Sequence, residues 1–201
     1  MARLSLSKSS LAKQQRQLQT FERYLPSLDL KRRQLLVERA RAQDERTALE
    51  QAIAALRAQV REQLPMLANT EIPLAELTHV AQVQIDEENR MGTRLPRLVG
   101  VDFTRTDYGC LSRPHWVDPL VERLEQMLEL RLRLHLQQRR VALLETAVRK
   151  VTQRVNLFEK VLIPRTRAHI KRIRVALSDA ERAAVVRSKI AKAKRQRGGL
   201  A

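Results

Sequence analysis

A seven-residue repeat of apolar side chains between residues 141 and 162 constrains the fold more than any other feature of the chain. Its members recur in alternating steps of three and four residues: Val141, Leu144, Val148, Val151, Val155, Phe158 and Leu162. This spacing is typical of a helix that packs lengthwise against a second helix. The intervening positions are largely charged, so the other side of this helix faces water or another protein rather than a globular core. The chain therefore needs a long partner helix.

The partner helix is predicted between residues 11 and 64, where two seven-residue ladders run side by side. One ladder contains Leu18, Leu25, Ile53, Val60 and Leu67, and the other contains Phe21, Leu28, Leu35, Ala42, Leu49 and Leu56. At 1.5 Å per residue this helix spans roughly 80 Å, far more than an average globular helix. Such a length is explained by a coiled coil.

Arginines interrupt the first ladder at three successive heptad positions, namely Arg32, Arg39 and Arg46. We expect their stems to lie over the seam with the charged heads in water, the alternative being a specific binding role. Leu36 and Ala40 are expected to take up part of the apolar stripe beside them.

Two prolines mark the course of this first helix. Pro26 falls inside the ladder pattern and predicts a kink or a break. Pro65 is expected to end the helix.

The helical rhythm stops between residues 68 and 116. Val83 and Ile85 alternate with polar residues, a stretch containing Asn89 and Gly92 follows, and a second apolar run comes after it: Leu98, Val99, Val101 and Phe103. The pattern predicts a short β-hairpin or small sheet inserted between the helices. A lone hairpin is marginal in water, so it must lean on the helices or on a partner.

The second long helix is predicted to begin near Pro114 or near Asp118–Pro119, with Asp118 as the capping residue. Within it, leucines occupy every second position: Leu128, Leu130, Leu132, Leu134 and Leu136. A period of two indicates a strand, but the run contains no β-branched residue and helical patterning continues on both sides. As a helix it is apolar on more than one side, which predicts a binding surface for another protein that includes Leu128, Leu132 and Leu136.

Beyond Leu162 the apolar phase slips, and Pro164 stands at the slip. The new positions are Thr166, Ile170, Ile173, Leu177, Ala180 and Ala184. We interpret the slip as a four-residue stutter that locally unwinds the supercoil.

The predicted fold is therefore all-α, a long antiparallel two-helix coiled coil formed by the N- and C-terminal helices with a short β-hairpin insertion in the middle. The expected segments are 1–67 for the first helix, 68–116 for the insertion, 117–195 for the second helix and 196–201 for a disordered tail. With five glycines, 3% aromatic and 30% charged residues, the composition is that of long helices rather than of a compact core.

Positive charge is concentrated at the two ends of the chain. Residues 1–41 carry ten Lys or Arg against three acidic residues, residues 160–197 carry thirteen against two, and the rest carries sixteen against seventeen. Antiparallel helices place both ends together as one basic tip, which suits an acidic socket, a phosphate backbone or a membrane surface. A membrane anchor fits worse, because the tip has few bulky apolar residues to bury. Nucleic-acid binding and a scaffold role are the alternatives, but no nucleic-acid-binding motif accompanies the charge.

No constellation of catalytic residues is apparent in the sequence. His79, His115, His135 and His169 are scattered rather than spaced for a metal, and Cys110 has no evident catalytic partner. We expect no enzymatic activity, no cofactor and no metal. A lone cysteine, no apolar run long enough for a membrane span and no secretory signal together predict a cytoplasmic protein.

Three stretches resemble the D subunit of the V/A-type rotary ATPases: LDLKRRQLL at 28–36, CLSRPHWVD at 110–118 and QRVNLFEKVLIPRTRAHIKRI at 153–173. The resemblance covers nearly the whole chain. It implies a central rotor shaft whose two termini enter a ring of catalytic and nucleotide-binding proteins, the A and B subunits. It further implies a small globular side partner, the F subunit, and an adaptor on the membrane rotor. On this basis Lys171 and Arg174 of the basic tip are expected to contact the ring, without nucleic-acid binding or direct membrane insertion.

Overall fold

The computed structural model describes residues 5–68, 77–106, 114 and 116–198, without the side chains of residues 67, 68, 197 and 198. Its long helices are α1 (Lys8–Gln63), α2 (Val117–Asn156) and α3 (Ile163–Gly198), with a π-helical segment, Leu157–Leu162, between α2 and α3. A short 3₁₀ helix, Pro65–Ala68, follows α1, and the strands β1 (Thr78–Arg90) and β2 (Thr93–Arg105) form an antiparallel hairpin. Two long packed helical regions with a hairpin between them confirm the predicted fold class.

The chain divides into two compact units. The terminal unit comprises Met1–Lys31 and Val151–Ala201, and the central unit comprises Arg32–Lys150. The predicted segment boundaries differ from this division and stay predictions. Residues 199–201 of the expected tail lie outside the described residues, as do Cys110, His115 and the side chain of Leu67.

Within each unit the helices run antiparallel. In the central unit Gln137 contacts Ala42 and Arg123 contacts Gln63, so positions rise along α1 as they fall along α2. In the terminal unit Glu22 pairs with Arg167, and Lys8 pairs with Glu181.

Both ladders of α1 face the seam, as their spacing predicts. Leu35, Ala42, Ile53 and Leu56 are buried, and the other described ladder positions are half-buried. The expectation for Leu36 and Ala40 is wrong, because both are exposed. They lie outside the stripe of positions that contacts the second helix. The three ladder arginines therefore occupy the seam, and no apolar side chain from Leu36 or Ala40 takes their place.

Those ladder arginines, Arg32, Arg39 and Arg46, are all half-buried. The Nε atoms of Arg39 and Arg46 are buried and have no hydrogen-bond partner among the described residues. Nε of Arg46 nevertheless lies 3.4 Å from a Glu50 carboxylate oxygen, an ion pair that does not meet hydrogen-bond geometry, and the Arg46 side chain keeps 40% of its area exposed. Stems over the seam with heads directed to water match this arrangement.

The two prolines of the first helix behave differently. α1 is continuous from Lys8 to Gln63 and contains Pro26, so the predicted break does not occur. The helix ends at Gln63, two residues before Pro65, as expected for a residue that cannot continue the hydrogen-bond ladder.

The hairpin is confirmed, and its strands of 13 residues each are longer than the short insertion that the sequence indicated. Met91 and Gly92 form the two-residue turn, both with positive φ, 52° and 74°. Such a turn matches the right-handed twist of the paired strands. Pairing is irregular between Val80 and Gln82 and again between Gln84 and Ile85, where an extra residue enters the ladder.

α2 starts at Val117, so Asp118 lies inside the first helical turn rather than at the capping position. A carboxylate there still interacts favourably with the helix dipole. The alternating leucines are helical throughout, which confirms that the period of two does not mark a strand.

The phase slip is real, but it is not a four-residue stutter. The buried positions continue at Ile163, Thr166, Ile170 and Ile173, one residue later than an unbroken heptad from Val155 requires. The π-helical segment accommodates the additional residue. Ala180 and Ala184, expected to extend the stripe, are exposed.

A small apolar core joins the base of the hairpin to the start of α2. Its fully covered members are Leu77, Val117, Leu120 and Val121, with Leu64, Trp116 and Leu124 packed around them. This core holds the hairpin on the helices of the central unit.

Candidate partner-binding surfaces

The predicted leucine surface lies on α2 in the central unit, and one of its leucines faces a groove beside the hairpin. Leu128, Leu132 and Leu136 are all half-buried. Leu136 lines a groove of about 540 Å³ together with Pro96 and Leu98 of β2. The remaining residues along the groove come from α1, β2 and α2: Glu45, Ala48, Leu49, Ala52, Arg97, Arg133, Gln137 and Arg140. Leu136 therefore faces an open groove between α1, α2 and the hairpin.

Polar contacts fix the position of this groove. The Nε2 of Gln137, a buried side chain, donates to the backbone oxygen of Ala42 at 2.9 Å and to Oε2 of Glu45 at 3.0 Å. A buried amide needs such partners to offset its desolvation. Gln137 thus ties α2 to α1 at a defined register.

Arg140 links α2 to both strands of the hairpin. Its Nη1 donates to the backbone oxygen of Pro96 at 3.3 Å, and its Nη2 lies 3.6 Å from a carboxylate oxygen of Glu88. With its side chain only 18% exposed, this ion pair is better shielded than a typical surface pair. The hairpin is therefore held close to its turn as well as at its base.

An ion pair with two hydrogen bonds joins the base of the hairpin to α2. Nε and Nη2 of Arg105 each donate to a carboxylate oxygen of Glu125 at 2.7 Å, and Oγ1 of Thr78 donates at 3.4 Å. The hydrogen bonds from Arg105 lower the pKa of Glu125 below its ordinary value of about 4.5, helped by the charge of Arg105 and by Thr78, while partial burial opposes the shift. The ionised form is thus stabilised at neutral pH.

Lys171 and Arg174 lie on α3 in the terminal unit, where both are exposed. They line a groove of about 620 Å³ with Arg167, Ile170 and Val175 of α3 and with Gln15, Leu18, Gln19 and Glu22 of α1. Glu22 is paired with Arg167 at 2.7 Å, so Lys171 and Arg174 supply the excess positive charge of this groove. The structure brings these two predicted residues together on one surface.

Beyond this groove, α3 continues without cover from the described part of the chain. Every side chain from residue 179 to residue 196 is exposed. Val185, Val186 and Ile190 are among them, each more than half exposed. Basic residues dominate this stretch, so it is a positively charged helix with a narrow apolar strip.

The described histidines do not form a cluster. His79, His135 and His169 lie on β1, α2 and α3 respectively, and no group of three potential metal ligands exists among the described residues. Within the same residues, no helix combines the length and apolarity needed to span a membrane.

The sequence analysis did not single out Gln137, Arg140, Glu125 or Arg105. Each makes its contact with a residue far away in the chain, up to 95 positions in the case of Gln137. Gln137 alone left a signal, since it directly follows the leucine run at a seam-facing position.

Comparison with known proteins identifies the family of this chain. The family model for the D subunit of ATP synthase matches residues 10–193. The chain belongs to this family. The V-type ATP synthase D subunit of Borreliella burgdorferi is 32% identical over 192 residues, covering 96% of this chain and 95% of the relative. The V-type ATP synthase D subunit of Chlamydia muridarum is 33% identical over 201 residues, covering 97% of each.

The family match extends over both units described above, since the matched residues run from α1 to the exposed part of α3. It includes the hairpin as well as the helices. The two candidate surfaces, the leucine groove and the basic groove, therefore both lie within the part of the chain that the ATP synthase D-subunit family covers.

Proposed function

We propose that this chain is the central shaft of a V-type ATP synthase, where it transmits torque between an ion-driven rotor in the membrane and the catalytic ring. It has no catalytic residues of its own and couples ion transport to ATP synthesis or hydrolysis by turning. Its partners are the A and B subunits of the ring, a small globular F subunit and an adaptor on the membrane rotor. The complex keeps it on the cytoplasmic side, peripheral to the membrane.

The heptad seam of the long helices is the observation that carries this proposal. Buried positions follow one another at heptad spacing in α1, in α2 and again in α3 after the one-residue correction. No glycine occurs inside α1 or α2, and the only one in α3 is its last residue, Gly198. Glycine is the residue that most loosens a helix, so these helices resist bending and twisting over most of their length.

The basic groove suits a part that turns inside a ring. A deep ion pair formed at one angle has to be broken before the next, and removing one partner of such a pair costs about 3 to 5 kcal/mol. Lys171 and Arg174 are exposed, and exposed pairs are worth about 1 kcal/mol or less. Several weak contacts with an acidic bore centre the shaft without holding it at one angle.

A rotation assay tests the role directly. The ring is fixed to a surface, and a bead is attached to the exposed hairpin through Asn89→Cys in a Cys110→Ser background. Addition of ATP is expected to rotate the bead in steps, because the chain moves relative to the fixed ring. A bead that stays stationary in an assembled, ATP-hydrolysing ring shows that the chain belongs to the stator, and the proposal fails.

Assembly with the ring provides a second test of the basic surface. Removing residues 189–201 and neutralising several arginines of α3 is expected to weaken assembly, increasingly so at high salt, because both changes reduce the same screened attraction. Retention of the intact chain by DNA with a steep dependence on salt, without capture of ring proteins, favours a nucleic-acid-binding protein instead.

The leucine groove is proposed as part of the surface for the F subunit. Leu132→Ser with Leu136→Ser is expected to weaken binding of that partner, because both side chains are only partly covered by the chain itself. Val37→Ser is the matched control, since Val37 lies in the same unit and is 68% exposed. Unchanged binding of the F subunit to a double variant that remains helical by circular dichroism excludes this surface.

A further inference from the structure

The π-helical segment Leu157–Leu162 interrupts an otherwise α-helical run of more than 80 residues, α2 through α3. At its end the backbone N–H of Ile163 donates to the oxygen of Phe158, five residues earlier. None of its residues is buried, and Leu157 and Val161 are 46% and 48% exposed. The segment is thus a wide helical turn that tertiary packing covers only in part.

The spacing of buried residues explains why the wide turn is there. On its N-terminal side the seam positions end at Val151 and Val155, and on its C-terminal side they resume at Ile163 and Thr166. An unbroken heptad places a seam position at residue 162, seven residues after Val155, whereas the buried residue is 163. A π turn takes up a single extra residue, so the stripes before and after it both face α1.

Proline reinforces the irregularity in both helices. Pro164 lies two residues beyond the end of the π segment, and its missing N–H leaves a carbonyl of the preceding turn without its usual donor. Pro26 has the same effect in α1, where it removes the bond to the carbonyl of Glu22.

The two irregularities lie close together along the terminal unit. Phe158 of the π segment packs edge to face against Phe21 of α1, with ring centroids 5.4 Å apart. Pro26 is five residues beyond Phe21, about 7 Å along the helix axis. Between Lys8 and Lys31 no side chain of α1 is fully buried, so the packing that stiffens a helix is thinnest here.

We propose that the π segment and the two prolines form a compliant joint in the helix pair of the terminal unit. Bending and twisting concentrate there, because each helix contains a proline that donates no backbone hydrogen bond and because α1 buries no side chain between Lys8 and Lys31. The joint is a property of the chain alone; that it yields first when the chain is loaded as a shaft rests on the proposed function.

Hydrogen exchange of the full chain tests the joint without any partner. Amides of residues 157–165 are expected to exchange at least tenfold faster than those of 144–151 and 166–173, because their hydrogen bonds open locally. Equal protection across the three stretches overturns the proposal, whatever the chain does in a rotary complex. Failure of the rotation assay, in contrast, leaves this result unaffected.

A deletion variant tests the phase argument. Deleting the exposed Glu159 together with Pro164→Ala removes the additional residue and places Ile163 seven positions after Val155. The stretch is then expected to become α-helical, with exchange slowed at least tenfold and a denaturation midpoint no lower than that of the parent. A variant that exposes Ile173 or loses helicity shows that the π turn does not correct the register, and the proposal fails.

Two control variants separate the register from other effects. Deleting Ala183, in the exposed part of α3, removes one residue where no partner helix has to be matched, so exchange at 157–165 is expected to stay fast. Pro164→Ala alone keeps the additional residue and is expected to slow exchange less than the combined variant. Slow exchange in the Ala183 deletion contradicts a local joint, because that change leaves residues 157–165 intact.

Discussion

The central and terminal units use the same helix pair but bury it to different depths. In the central unit the hairpin adds a further element, and Leu77, Leu95 and Leu120 are at most 2% exposed. In the terminal unit α1 meets only α3 and the end of α2, and none of its residues from Lys8 to Lys31 is fully buried. Two helices alone cover only a narrow stripe of one another, and in the terminal unit full burial among the described residues is confined to the second helix, where Val155 and Ile173 are at most 2% exposed.

The two units therefore differ in how α1 is packed. The central unit has buried side chains on α1, α2 and the hairpin, whereas among the described residues of the terminal unit they lie on α2 and α3 only. The terminal unit also carries the exposed end of α3. Substitutions in both units test this difference, in decreasing order of expected effect.

Removing a core leucine is expected to have the largest effect. Leu120→Ala in the central core is expected to cost about 2 to 5 kcal/mol, because it leaves a cavity among residues that cannot collapse completely. Leu25→Ala in the terminal seam is the matched change at a half-buried position and is expected to cost less than about 2 kcal/mol. Urea denaturation followed by circular dichroism measures both. Equal losses contradict the distinction between the units.

Glu125→Gln is expected to lower stability by roughly 1 kcal/mol at neutral pH, because the amide cannot maintain the charged pair with Arg105. The folded-state pKa of Glu125 is depressed, so its contribution is present above about pH 4.5 and is lost as the pH falls through the lowered value. The melting temperatures of the parent and of Glu125→Gln should therefore converge as the pH falls from about 5 to about 3, a range that spans the ordinary pKa of a glutamate.

A control on the same helix identifies the contribution of the hairpin base. Glu129→Gln disrupts the pair with Arg133 within one turn of α2 and is expected to cost about 0.3 to 0.5 kcal/mol. If Glu129→Gln lowers stability as much as Glu125→Gln does, the ion pair at the hairpin base stabilises the protein no more than an ordinary pair within a helix.

The hairpin turn offers a smaller, stabilising change. Met91 adopts a positive φ of 52°, which a residue with an ordinary side chain adopts at a cost, and Gly92 follows it. Met91→Asn is expected to raise stability by up to about 1 kcal/mol, because Asn-Gly suits this turn. The denaturation midpoint measures the gain. Met91→Val is the opposing control, and a gain in that variant too contradicts the strain in the turn.

The basic groove is expected to be the least sensitive region. Lys171→Ala or Arg174→Ala should change stability by less than about 0.5 kcal/mol, since both side chains are exposed. Coupled ATP hydrolysis by the assembled complex should stay within a few-fold of the parent. A single variant that abolishes rotation in an assembled complex shows that one specific contact carries the torque.

The spacing of apolar residues along the sequence predicted the helices well. The ladder of α1 and the repeat through Val155 both face the seam, because heptad spacing records which side of a helix meets a partner. The same reasoning misplaced Leu36 and Ala40, which lie beside the stripe but not in it. It also detected the phase slip at Pro164 without finding the type of helix that absorbs it, since a single additional residue resembles a stutter in a pattern of threes and fours.

The candidate surfaces were predictable only in outline. The leucine run and the basic residues indicated contact regions, but their grooves need residues from other elements: Pro96 and Leu98 for the first, Gln15 and Glu22 for the second. The polar contacts that hold the hairpin could not be recognised in the sequence, because Arg105, Glu125 and Arg140 resemble the many charged residues of a helical surface. A hydrogen bond between distant residues needs a partner that comes close only on folding, so the residue type at one position does not reveal it.

The sequence by itself determined the long helices, the place of the hairpin and the position of the irregularity before Pro164. These features depend on interactions between neighbours in the chain and on the regular spacing of apolar residues, which places them on one side of a helix. Only the folded chain places Leu136 on the same groove as Pro96 and Leu98, joins Gln137 to the backbone of Ala42 and leaves α1 without a buried side chain from Lys8 to Lys31. Burial and polar pairing belong to residues brought together from distant parts of the chain, so their outcome exists only once the fold has formed.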